Sequence, residues 1–455
     1  YVVAETEEEA FELAKAKIPN IKKSDLKQDD DVLDTWASSW LFPITAFDGF
    51  ESKGISNAEL DYYYPTDVLV TAPEILFFWV ARMIMAGYEY KQEKPFKDVY
   101  LTGIVRDKQG RKMSKSLGNS PDALELIKEY GADGIRTGML FSSPAGNDLL
   151  FDIKLCEQGR NFSNKIWNAF RLVKGWEVTQ SADNQANKLA IDWFEAKFNQ
   201  ALIQIEDHYD KFRISDVLMT IYKLIWDDFC SWYLEMIKPN YGDAIDQATY
   251  EASLNFFEKL MKLLHPLMPF ITEEIWHSIA EREEKECIIV AQYPKVNQEA
   301  INDNLLTEAT EVFEVISQIR KVRNSKNIPK KNRIGLSIKA NDNAIYTKFG
   351  GIIQKLAGIE TIEFSQEKPA QSVGFVYKAD EFFIPLEGQI DIEKEKATIL
   401  KEIKYQEGFL QSVNKKLSNE RFVKNAPEKV IDIERKKLSD ATAKIKVLEE
   451  ALKAL

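Results

Sequence analysis

The ten residues 110–119, GRKMSKSLGN, combine positive charge with small side chains in a way that suits phosphate groups. Small residues let backbone N–H groups and lysine ammonium groups approach phosphate oxygens closely. The stretch lacks the Walker A pattern G-x-x-x-x-G-K-[ST], and the chain shows no G-x-G-x-x-G dinucleotide fingerprint. It therefore predicts a phosphate-binding loop of another kind. The cations, hydroxyls and glycines of this loop are Arg111, Lys112, Lys115, Ser114, Ser116, Gly110 and Gly118.

Length and composition limit what the rest of the protein can be. A chain of 455 residues, 45% hydrophobic and 29% charged, predicts roughly three or more domains with sizeable cores. No apolar run approaches the roughly 20 residues that span a bilayer, so no membrane segment is expected. The chain has three histidines and three widely spaced cysteines, Cys156, Cys230 and Cys287. This composition predicts no disulfide framework, no protein-bound metal and a cytoplasmic location.

The charge of the chain is unevenly distributed. The net charge is −12, yet residues 315–340 hold eight lysines and arginines and no acidic residue. Residues 388–455 also carry more basic than acidic side chains. A cationic C-terminal third on an acidic body is typical of a protein that binds a polyanion such as a nucleic acid. The alternative interpretation is a basic helix face that is merely solvated.

Residues 1–153 are predicted to form a mixed α/β domain. A short amphipathic helix is expected within 1–20, and the runs DVLV and DVYLTGIV predict strands. The helical pattern PEILFFWVARMIMAG lies between them, and Gly87 is expected to end that helix. After the lysine-containing loop, Ser120 is predicted to cap a helix that Gly131 ends.

Residues 154–285 are predicted to form a helical bundle, because helical periodicity runs through them with little strand signal. One long helix is expected up to Pro239, and a pair of helices is expected to break at Pro266 and Pro269. The many tryptophan and phenylalanine side chains of this region are interpreted as core. Residues 286–386 predict a small α/β junction, with a helix at 302–326 and strands in IIVAQYP, IGLSIKA, TIEFS and EFFIPLE.

Residues 387–455 predict an antiparallel coiled-coil hairpin. Apolar side chains recur mostly three and four residues apart in two stretches, 388–417 and 431–455. A hairpin of this kind buries its own seam and protrudes from the body of the protein. It is interpreted either as an oligomerisation arm or as an arm that reaches a large partner.

The pentapeptide KMSKS in the loop is the signature of class I aminoacyl-tRNA synthetases, and the chain resembles the valyl-tRNA synthetases among them. The segments that carry the resemblance occur in the order found in that family. They are DVLDTWASSW, TAPEILFFWVARMIMAGYEY, PFKDVYLTGIVRDKQGRKMSKSLGNSPD, DDFCSWYLEMIKP, PLEGQIDIEKE and LSNERFVKNAPEKVI. The resemblance covers nearly the whole chain. It implies the second half of a Rossmann-type catalytic domain, a helical anticodon-binding domain and a coiled-coil arm that binds tRNA.

The resemblance also implies an activity, the ATP-dependent attachment of valine to its tRNA. Lys112 and Lys115 would stabilise the triphosphate while the valine carboxylate attacks the α-phosphorus and pyrophosphate leaves. The family more often has Gly and Asp where this chain has Ala72 and Glu74. The other residues that match nucleotide-binding positions are Met113, Ser114, Ser116, Gly103, Glu74 and Thr71.

In this family an apolar pocket holds the side chain of valine. The matching residues here are Trp36, Ile75 and Trp79, of which the last two are four apart and are expected on one helix face. Ala37 stands where the family often has a bulkier residue. An apolar pocket of this size cannot strongly reject threonine, which differs by a hydroxyl for a methyl group, and the family therefore carries a separate editing domain.

The partners implied by the resemblance are ATP with Mg²⁺, valine and tRNA(Val), bound by a monomer. RNA is expected on the bundle, on the hairpin and on the basic stretch between them. The candidate residues of that stretch are Arg320, Lys321, Arg323, Lys330, Lys331 and Arg333.

Two parts of such an enzyme have no match in this sequence. The HIGH-type signature of the first half of the nucleotide fold does not occur, and neither does the editing domain. The chain is therefore expected to be the C-terminal half of a longer enzyme and to be inactive alone. Two alternatives stay open: an isoleucyl-type branched-chain synthetase, and a non-catalytic tRNA-binding module that keeps a relic KMSKS loop.

Overall fold

The protein divides into two units, which are described separately. The structure, a computed structural model, describes residues 1–50, 57–143, 146–180, 184–283, 285–385 and 392–419, and within 431–445 it describes 431–435, 437–439, 441–442 and 445. The first unit comprises Tyr1–Ser120 with Ser142–Asp152, and the second comprises Pro121–Phe141 with Ile153–Leu455. Residues 121–141 thus group with the helices of the second unit, whereas the sequence had placed them in the α/β domain 1–153. The finer division into four domains stays a prediction.

The first unit is built around two short pairs of parallel strands. Its elements are α1 (Glu7–Lys17), α2 (Thr35–Ser39), α3 (Phe42–Thr45), α4 (Ala58–Tyr63), β1 (Thr66–Thr71), α5 (Ala81–Lys91), β2 (Phe96–Leu101), β3 (Val105–Arg106) and β4 (Leu149–Leu150). β1 pairs with β2 from Thr66 opposite Phe96 to Thr71 opposite Leu101, and β3 pairs with β4. The predicted strands are confirmed. Because β1 and β2 are parallel, their carboxyl ends meet at the same edge.

Gly87 does not end the helix that contains it, so this prediction was wrong. The helical segment runs from Pro73 through a turn of π-helix and α5 to Lys91, and it ends at Gln92, whose φ is 59°. Gly87 is buried instead. A Cβ atom there would lie 2.8 Å from the carbonyl oxygen of Glu93 and 2.8 Å from the hydroxyl of Tyr64. The glycine permits close packing, which a local pattern cannot distinguish from a helix stop.

The second unit begins as the predicted helical bundle. Its elements up to the basic stretch are α6 (Ala123–Tyr130), α7 (Ala132–Phe141), α8 (Ile153–Lys174), β5 (Val178–Thr179), α9 (Gln185–Asp210), α10 (Ile214–Lys223), α11 (Leu234–Ile237), β6 (Ile245–Asp246), α12 (Gln247–Leu264), α13 (Pro269–Ile279) and α14 (Asp303–Ser325). A π-helix over Leu224–Tyr233 joins α10 to α11. Phe194, Phe229 and Phe256 are fully buried in its core, which confirms the interpretation of these aromatic side chains.

The breaks between these helices follow the predicted signals with one exception. The long helix ends just before Pro239, and Pro269 is the first residue of α13. Gly131 ends α6 with a φ of 75°. The predicted cap of α6 was wrong, because Asp122 rather than Ser120 accepts hydrogen bonds from the N–H groups of the first turn, at 2.8 and 3.1 Å. The helix begins at Ala123, so the residue in the capping position is Asp122, and aspartate caps a helix as well as serine does.

The bundle is followed by the small α/β layer that was predicted. Its elements are β7 (Ile334–Lys339), α15 (Ala344–Lys348), α16 (Gly350–Ala357), β8 (Ile359–Phe364), β9 (Ser372–Tyr377) and β10 (Asp380–Pro385). The strands form a mixed sheet in the order β8-β7-β10-β9. The apolar run IIVAQYP was wrongly predicted as a strand, since Ile288–Val290 is a single 3-10 turn. β9, in the less regular segment SVGFVY, was not predicted.

The last described helix is α17 (Ile392–Leu417). Helical residues also occur within 431–445. One of them, Glu434, has a carboxylate oxygen 3.8 Å from the ammonium nitrogen of Lys416 in α17. Val413 and Ala441 are both buried. The loop and the end of the predicted hairpin, at 420–430 and 446–455, lie outside the described residues. Within the described part of the chain, no helix is both long and apolar enough to cross a membrane.

A cavity of about 420 Å³ in the second unit was not predicted. Aromatic walls from Trp193 and Phe313 face polar groups that include Lys197 and Asp228. Burial raises the pKa of Asp228 to about 6, opposed by Lys197. Because the folded state binds the proton of this carboxyl group more tightly, the group contributes its full stability at pH values below its pKa in the unfolded chain, near 4. That contribution is lost as the pH rises through the folded pKa of about 6.

We therefore expect Asp228→Asn to stabilise the second unit by about 1–2 kcal/mol at pH 7. The advantage should shrink as the pH falls from 6 to 4, because the wild-type carboxyl group then becomes neutral as well. Chemical denaturation across this pH range measures the effect. Asp227→Asn, at the exposed neighbouring position, is the matched control and should change little. Equal stability of wild type and Asp228→Asn at pH 7 would contradict the expectation.

Candidate functional site

The lysine-containing loop begins as a tight hairpin at the end of β3. Arg106 forms an antiparallel bridge with Lys112, and the N–H of Met113 donates to the carbonyl of Val105 at 3.1 Å. Gly110 turns the chain with a φ of 78°, a conformation that L side chains rarely adopt. The backbone from 105 to 113 is therefore held by its own hydrogen bonds, and it carries Lys112 at the end of the hairpin.

Asp107, which is 9% exposed, is the centre of this hairpin. Its Oδ1 atom accepts hydrogen bonds from the N–H groups of Gln109 and Arg111, both at 2.9 Å. Its Oδ2 atom accepts from the Arg111 guanidinium at 2.7 and 2.8 Å and from the Asn119 amide at 3.0 Å. Hydrogen bonds from Asn119 and Arg111 hold the pKa of Asp107 well below its ordinary value. The charge of Arg111 is thus neutralised inside the loop.

The two lysines of the motif are in a different situation. Both are exposed. The Lys112 ammonium lies 3.8 Å from a carboxylate oxygen of Glu74. Lys115 has no ion-pair partner in the part of the chain that the structure describes. The hydroxyls of Ser114 and Ser116 are 3.1 Å apart, and the Ser114 hydroxyl also accepts from the N–H of Leu117 at 3.3 Å. The serines therefore shape the loop, while the lysines remain available to an anion.

The loop lies beside the carboxyl edge of the β1–β2 pair. Glu74 stands in the turn that follows β1, and its contact with Lys112 links the two segments. The carbonyl of Thr71, the last residue of β1, accepts hydrogen bonds from the N–H and hydroxyl of Thr102 at 2.8 and 3.1 Å. Gly103 comes next in the chain. In parallel α/β sheets, ligands bind at this edge.

Gly103 has a structural reason to be glycine. A Cβ atom at this position would lie 1.9 Å from the carbonyl oxygen of Asn147. Next to this contact, Asp148 accepts from the N–H of Ile104 at 3.0 Å and pairs with Arg106. The close approach therefore joins the segment before the loop to the segment before β4.

Two of the three candidate pocket residues come together. The rings of Trp36 and Trp79 meet edge to face with centroids 6.4 Å apart. Ile75 precedes the π-helical turn with a ψ of 12°, so the regular four-residue spacing that would place it on one face with Trp79 does not apply. Sequence reasoning missed Arg82, whose guanidinium lies 3.9 Å from the centroid of the Trp36 ring. The sequence could have indicated this residue, because Arg82 follows Trp79 by three positions and side chains three apart lie on the same face of a helix.

The six basic residues proposed for RNA differ in their surroundings. Lys321, Lys330 and Lys331 are exposed. The guanidinium of Arg320 donates to the carbonyl of Leu356 at 3.1 Å, and burial lowers its pKa. Arg333 is also exposed and donates to two carbonyls, those of Gln354 and Ile359.

Arg323 requires a correction. It is 5% exposed, and its guanidinium donates to four carbonyl oxygens at 2.6–3.4 Å. These oxygens belong to Ala357, Gly358, Pro329 and Asn332. Arg323 thus ties α14 to the start of the sheet layer, and a buried guanidinium is not available to phosphate.

Among the described residues, no group of three or more His, Cys, Asp or Glu side chains is arranged to hold a metal ion.

Three family models match successive parts of the chain. The model described as tRNA synthetases class I (I, L, M and V) matches residues 2–152, which include the lysine-containing loop. The anticodon-binding domain of tRNA ligase matches 192–339, and the valyl tRNA synthetase tRNA binding arm matches 391–455.

Curated relatives match over the full length of the chain. Valine–tRNA ligases of Christiangramia forsetii, Parabacteroides distasonis and Phocaeicola vulgatus are 55%, 53% and 56% identical to it. Each alignment covers 100% of this chain and 52% of the relative. The chain spans about half the length of the curated relatives it matches. Over its whole length the chain is thus similar to the valyl-tRNA synthetases among the class I aminoacyl-tRNA synthetases.

Proposed function

We propose that the protein containing this chain activates valine with ATP and transfers the valyl group to tRNA(Val). The observation that carries this proposal is the lysine-containing loop at the carboxyl edge of two parallel strands, with Lys112 beside Glu74. The strands would belong to a nucleotide-binding sheet of Rossmann type. Exposed cations on small residues at such an edge suit a nucleoside triphosphate.

The role of the loop is electrostatic. The valine carboxylate attacks the α-phosphorus, a bond to phosphorus forms as the bond to pyrophosphate breaks, and negative charge shifts to the leaving group. Lys112 and Lys115 would stabilise that charge, which is the largest contribution that a protein makes to reactions of this kind. Mg²⁺ bound to ATP would neutralise part of its charge.

Glu74 has two roles in this proposal. Its carboxylate would accept hydrogen bonds from the ribose hydroxyls of ATP. Without the nucleotide it holds the Lys112 ammonium at 3.8 Å. Both side chains are largely exposed, so the ion pair is weak and is readily exchanged for contacts with ATP.

The aromatic contact between Trp36 and Trp79 supports an apolar amino-acid pocket. The faces of indole rings give a branched aliphatic side chain a large apolar surface to pack against. Valine fits this chemistry, and the identity of the curated relatives favours it over isoleucine.

For the RNA partner we propose three surfaces: the helical bundle, the exposed lysines of the basic stretch, and the arm formed by α17 and the helical residues within 431–445. The contact between Lys416 and Glu434 and the burial of Val413 and Ala441 support an antiparallel coiled-coil hairpin for this arm. Phosphate neutralisation by lysine makes binding dependent on salt.

Replacement of Lys321, Lys330 and Lys331 together by alanine is therefore expected to weaken tRNA binding. It should also reduce the magnitude of the slope of log affinity against log salt concentration by about 2–3, since each lysine–phosphate contact that is lost removes about 0.7–0.9 from that slope. Filter binding at several salt concentrations measures both. The matched control loses the same charge from the N-terminal end of the first unit. It replaces three exposed lysines there by alanine: Lys15, Lys17 and Lys22. An equal loss in both triple variants would count against the basic stretch as an RNA surface.

Aminoacylation tests the proposed function as a whole. The whole protein, at the length of its relatives, is expected to charge tRNA(Val) with labelled valine in the presence of ATP. Isoleucine should be charged far less efficiently, since one extra methylene in a fitted pocket is worth about 1–3 kcal/mol. Binding of tRNA without charging by either amino acid would contradict the proposal and favour a non-catalytic RNA-binding module.

A further inference from the structure

Two side chains outside the KMSKS pentapeptide join the beginning of the lysine-containing loop to its end. Asp107 precedes the pentapeptide and Asn119 follows it, and their side chains meet at 3.0 Å. We propose that this pair, the Asp107–Asn119 clamp, positions Lys112 and Lys115 on the triphosphate of a bound nucleotide. The inference rests on the proposed function, because it deepens the role of the same loop.

Asp107 is built to hold the loop rather than to meet a ligand. Both of its carboxylate oxygens are already occupied by five donor contacts from Gln109, Arg111 and Asn119. It is almost fully buried, and its pKa is held low, so it stays anionic. It also neutralises Arg111. Of the three cations in the loop, Lys112 and Lys115 are thereby left for an anionic ligand.

Asn119 continues the connection into the pentapeptide itself. Its Nδ2 atom donates to Asp107 and, at 3.3 Å, to the carbonyl of Lys112. Its Oδ1 atom accepts from the N–H of Ser114 at 3.0 Å. One amide group therefore fixes the backbone on both sides of Met113. The nitrogen of this amide donates hydrogen bonds and its oxygen accepts one. A carboxylate only accepts and an apolar side chain does neither, so neither can replace the amide.

The remaining turn of the loop depends on the clamp. From Lys115 to Gly118 it is held by one backbone hydrogen bond of 3.2 Å and by the Ser114 hydroxyl, which accepts from the N–H of Leu117 at 3.3 Å. The position of that hydroxyl depends in turn on the hydrogen bond from the N–H of Ser114 to Asn119. Lys115 is exposed and lies in this turn. Loss of Asn119 would free the N–H of Ser114 and remove one of the hydrogen bonds that hold the backbone at Lys112, where the hairpin bonds to β3 remain. The ammonium group of Lys115 would then lose its defined position, and that of Lys112 would be held less firmly. A displacement of about 1 Å at a reacting group can cost roughly a hundredfold in rate.

The test uses the whole protein and the variants Asn119→Ala, Asp107→Asn and their combination. In valine-dependent ATP–pyrophosphate exchange, each single variant should lower kcat roughly 10- to 100-fold, while the KM for ATP changes far less. The double variant should be no worse than the poorer single variant, because both act through one connection. Asp122→Asn is the matched control. It also removes a charge from an aspartate that binds backbone N–H groups, three residues after Asn119 in the sequence, and its hydrogen bonds go to Leu124 and Glu125 rather than to the pentapeptide.

A second readout does not depend on valine activation. Trypsin should cleave Asn119→Ala and Asp107→Asn faster than wild type at Lys112 and Lys115, and Asp122→Asn at the wild-type rate. Unchanged cleavage, unchanged kcat in an active protein, or a KM effect without a kcat effect would each overturn the clamp. If wild type performs no exchange, valine activation is refuted, and the cleavage rates still decide the clamp. Asn119→Ala changes a partly exposed loop residue, so it tests the proposal even if Asp107→Asn fails to fold.

Discussion

Replacing Lys115 by alanine in the whole protein is expected to lower valine-dependent ATP–pyrophosphate exchange by roughly a hundredfold or more. The ammonium group is exposed, has no ion-pair partner among the described residues, and stands in the segment that the clamp positions. Its contribution would come in the transition state, when charge moves to the pyrophosphate. The rate constant should therefore fall while the KM for valine stays nearly constant.

Lys108→Ala is the matched control for this experiment. Lys108 is also an exposed lysine of the same hairpin, but its ammonium pairs with Asp152 at 3.0 Å. Its loss should leave exchange close to the wild-type rate. If wild type performs the exchange, an equal rate for Lys115→Ala would remove Lys115 from the mechanism.

Arg323→Ala is expected to have the largest effect on stability, a loss of about 3 kcal/mol or more from the second unit. Four carbonyl oxygens, on Ala357, Gly358, Pro329 and Asn332, would lose the guanidinium as a donor. Those of Gly358 and Pro329 would keep only a backbone N–H, from Ile334 and Asn332. Arg323→Lys should lose most of the same stability, because an ammonium group cannot reproduce the planar arrangement of guanidinium donors.

Urea denaturation followed by tryptophan fluorescence measures this loss. Trp232 lies in the second unit, and its ring stacks on that of Phe313 in α14 with the ring centroids 3.9 Å apart. Lys321→Ala, an exposed change two residues away on the same helix, should leave the transition where it is. A transition for Arg323→Ala at the wild-type urea concentration would show that the arginine is not needed for folding and would return it to the candidate RNA surface.

Features that depend on short stretches of sequence were predicted well. The KMSKS pentapeptide is contiguous, so its charge and its small residues are visible without a fold. The bundle helices were also predictable, since periodicity and Pro239 or Pro269 act within a few residues. The strands β1 and β2 followed from two clear apolar runs, whereas their parallel pairing is a finding of the structure.

Features that depend on distant parts of the chain were not predictable. Gly87 and Gly103 are explained by the atoms of Glu93 and Asn147 that approach them. Arg323 stands in a basic run whose other members are mostly exposed, and nothing local distinguishes it from Lys321. Asp107 and Asn119 are twelve residues apart, and their meeting requires the hairpin between them. The contact of Arg82 with Trp36 likewise joins two separate segments.

The central claim is that this chain carries the lysine-containing half of a site that activates valine with ATP. The most direct measurement is ATP–pyrophosphate exchange by the whole protein with valine and with isoleucine, each over a range of concentrations. We expect exchange that requires valine, with a kcat/KM for valine roughly 10- to 200-fold above that for isoleucine. Exchange that prefers isoleucine, or no exchange with either amino acid, would contradict it.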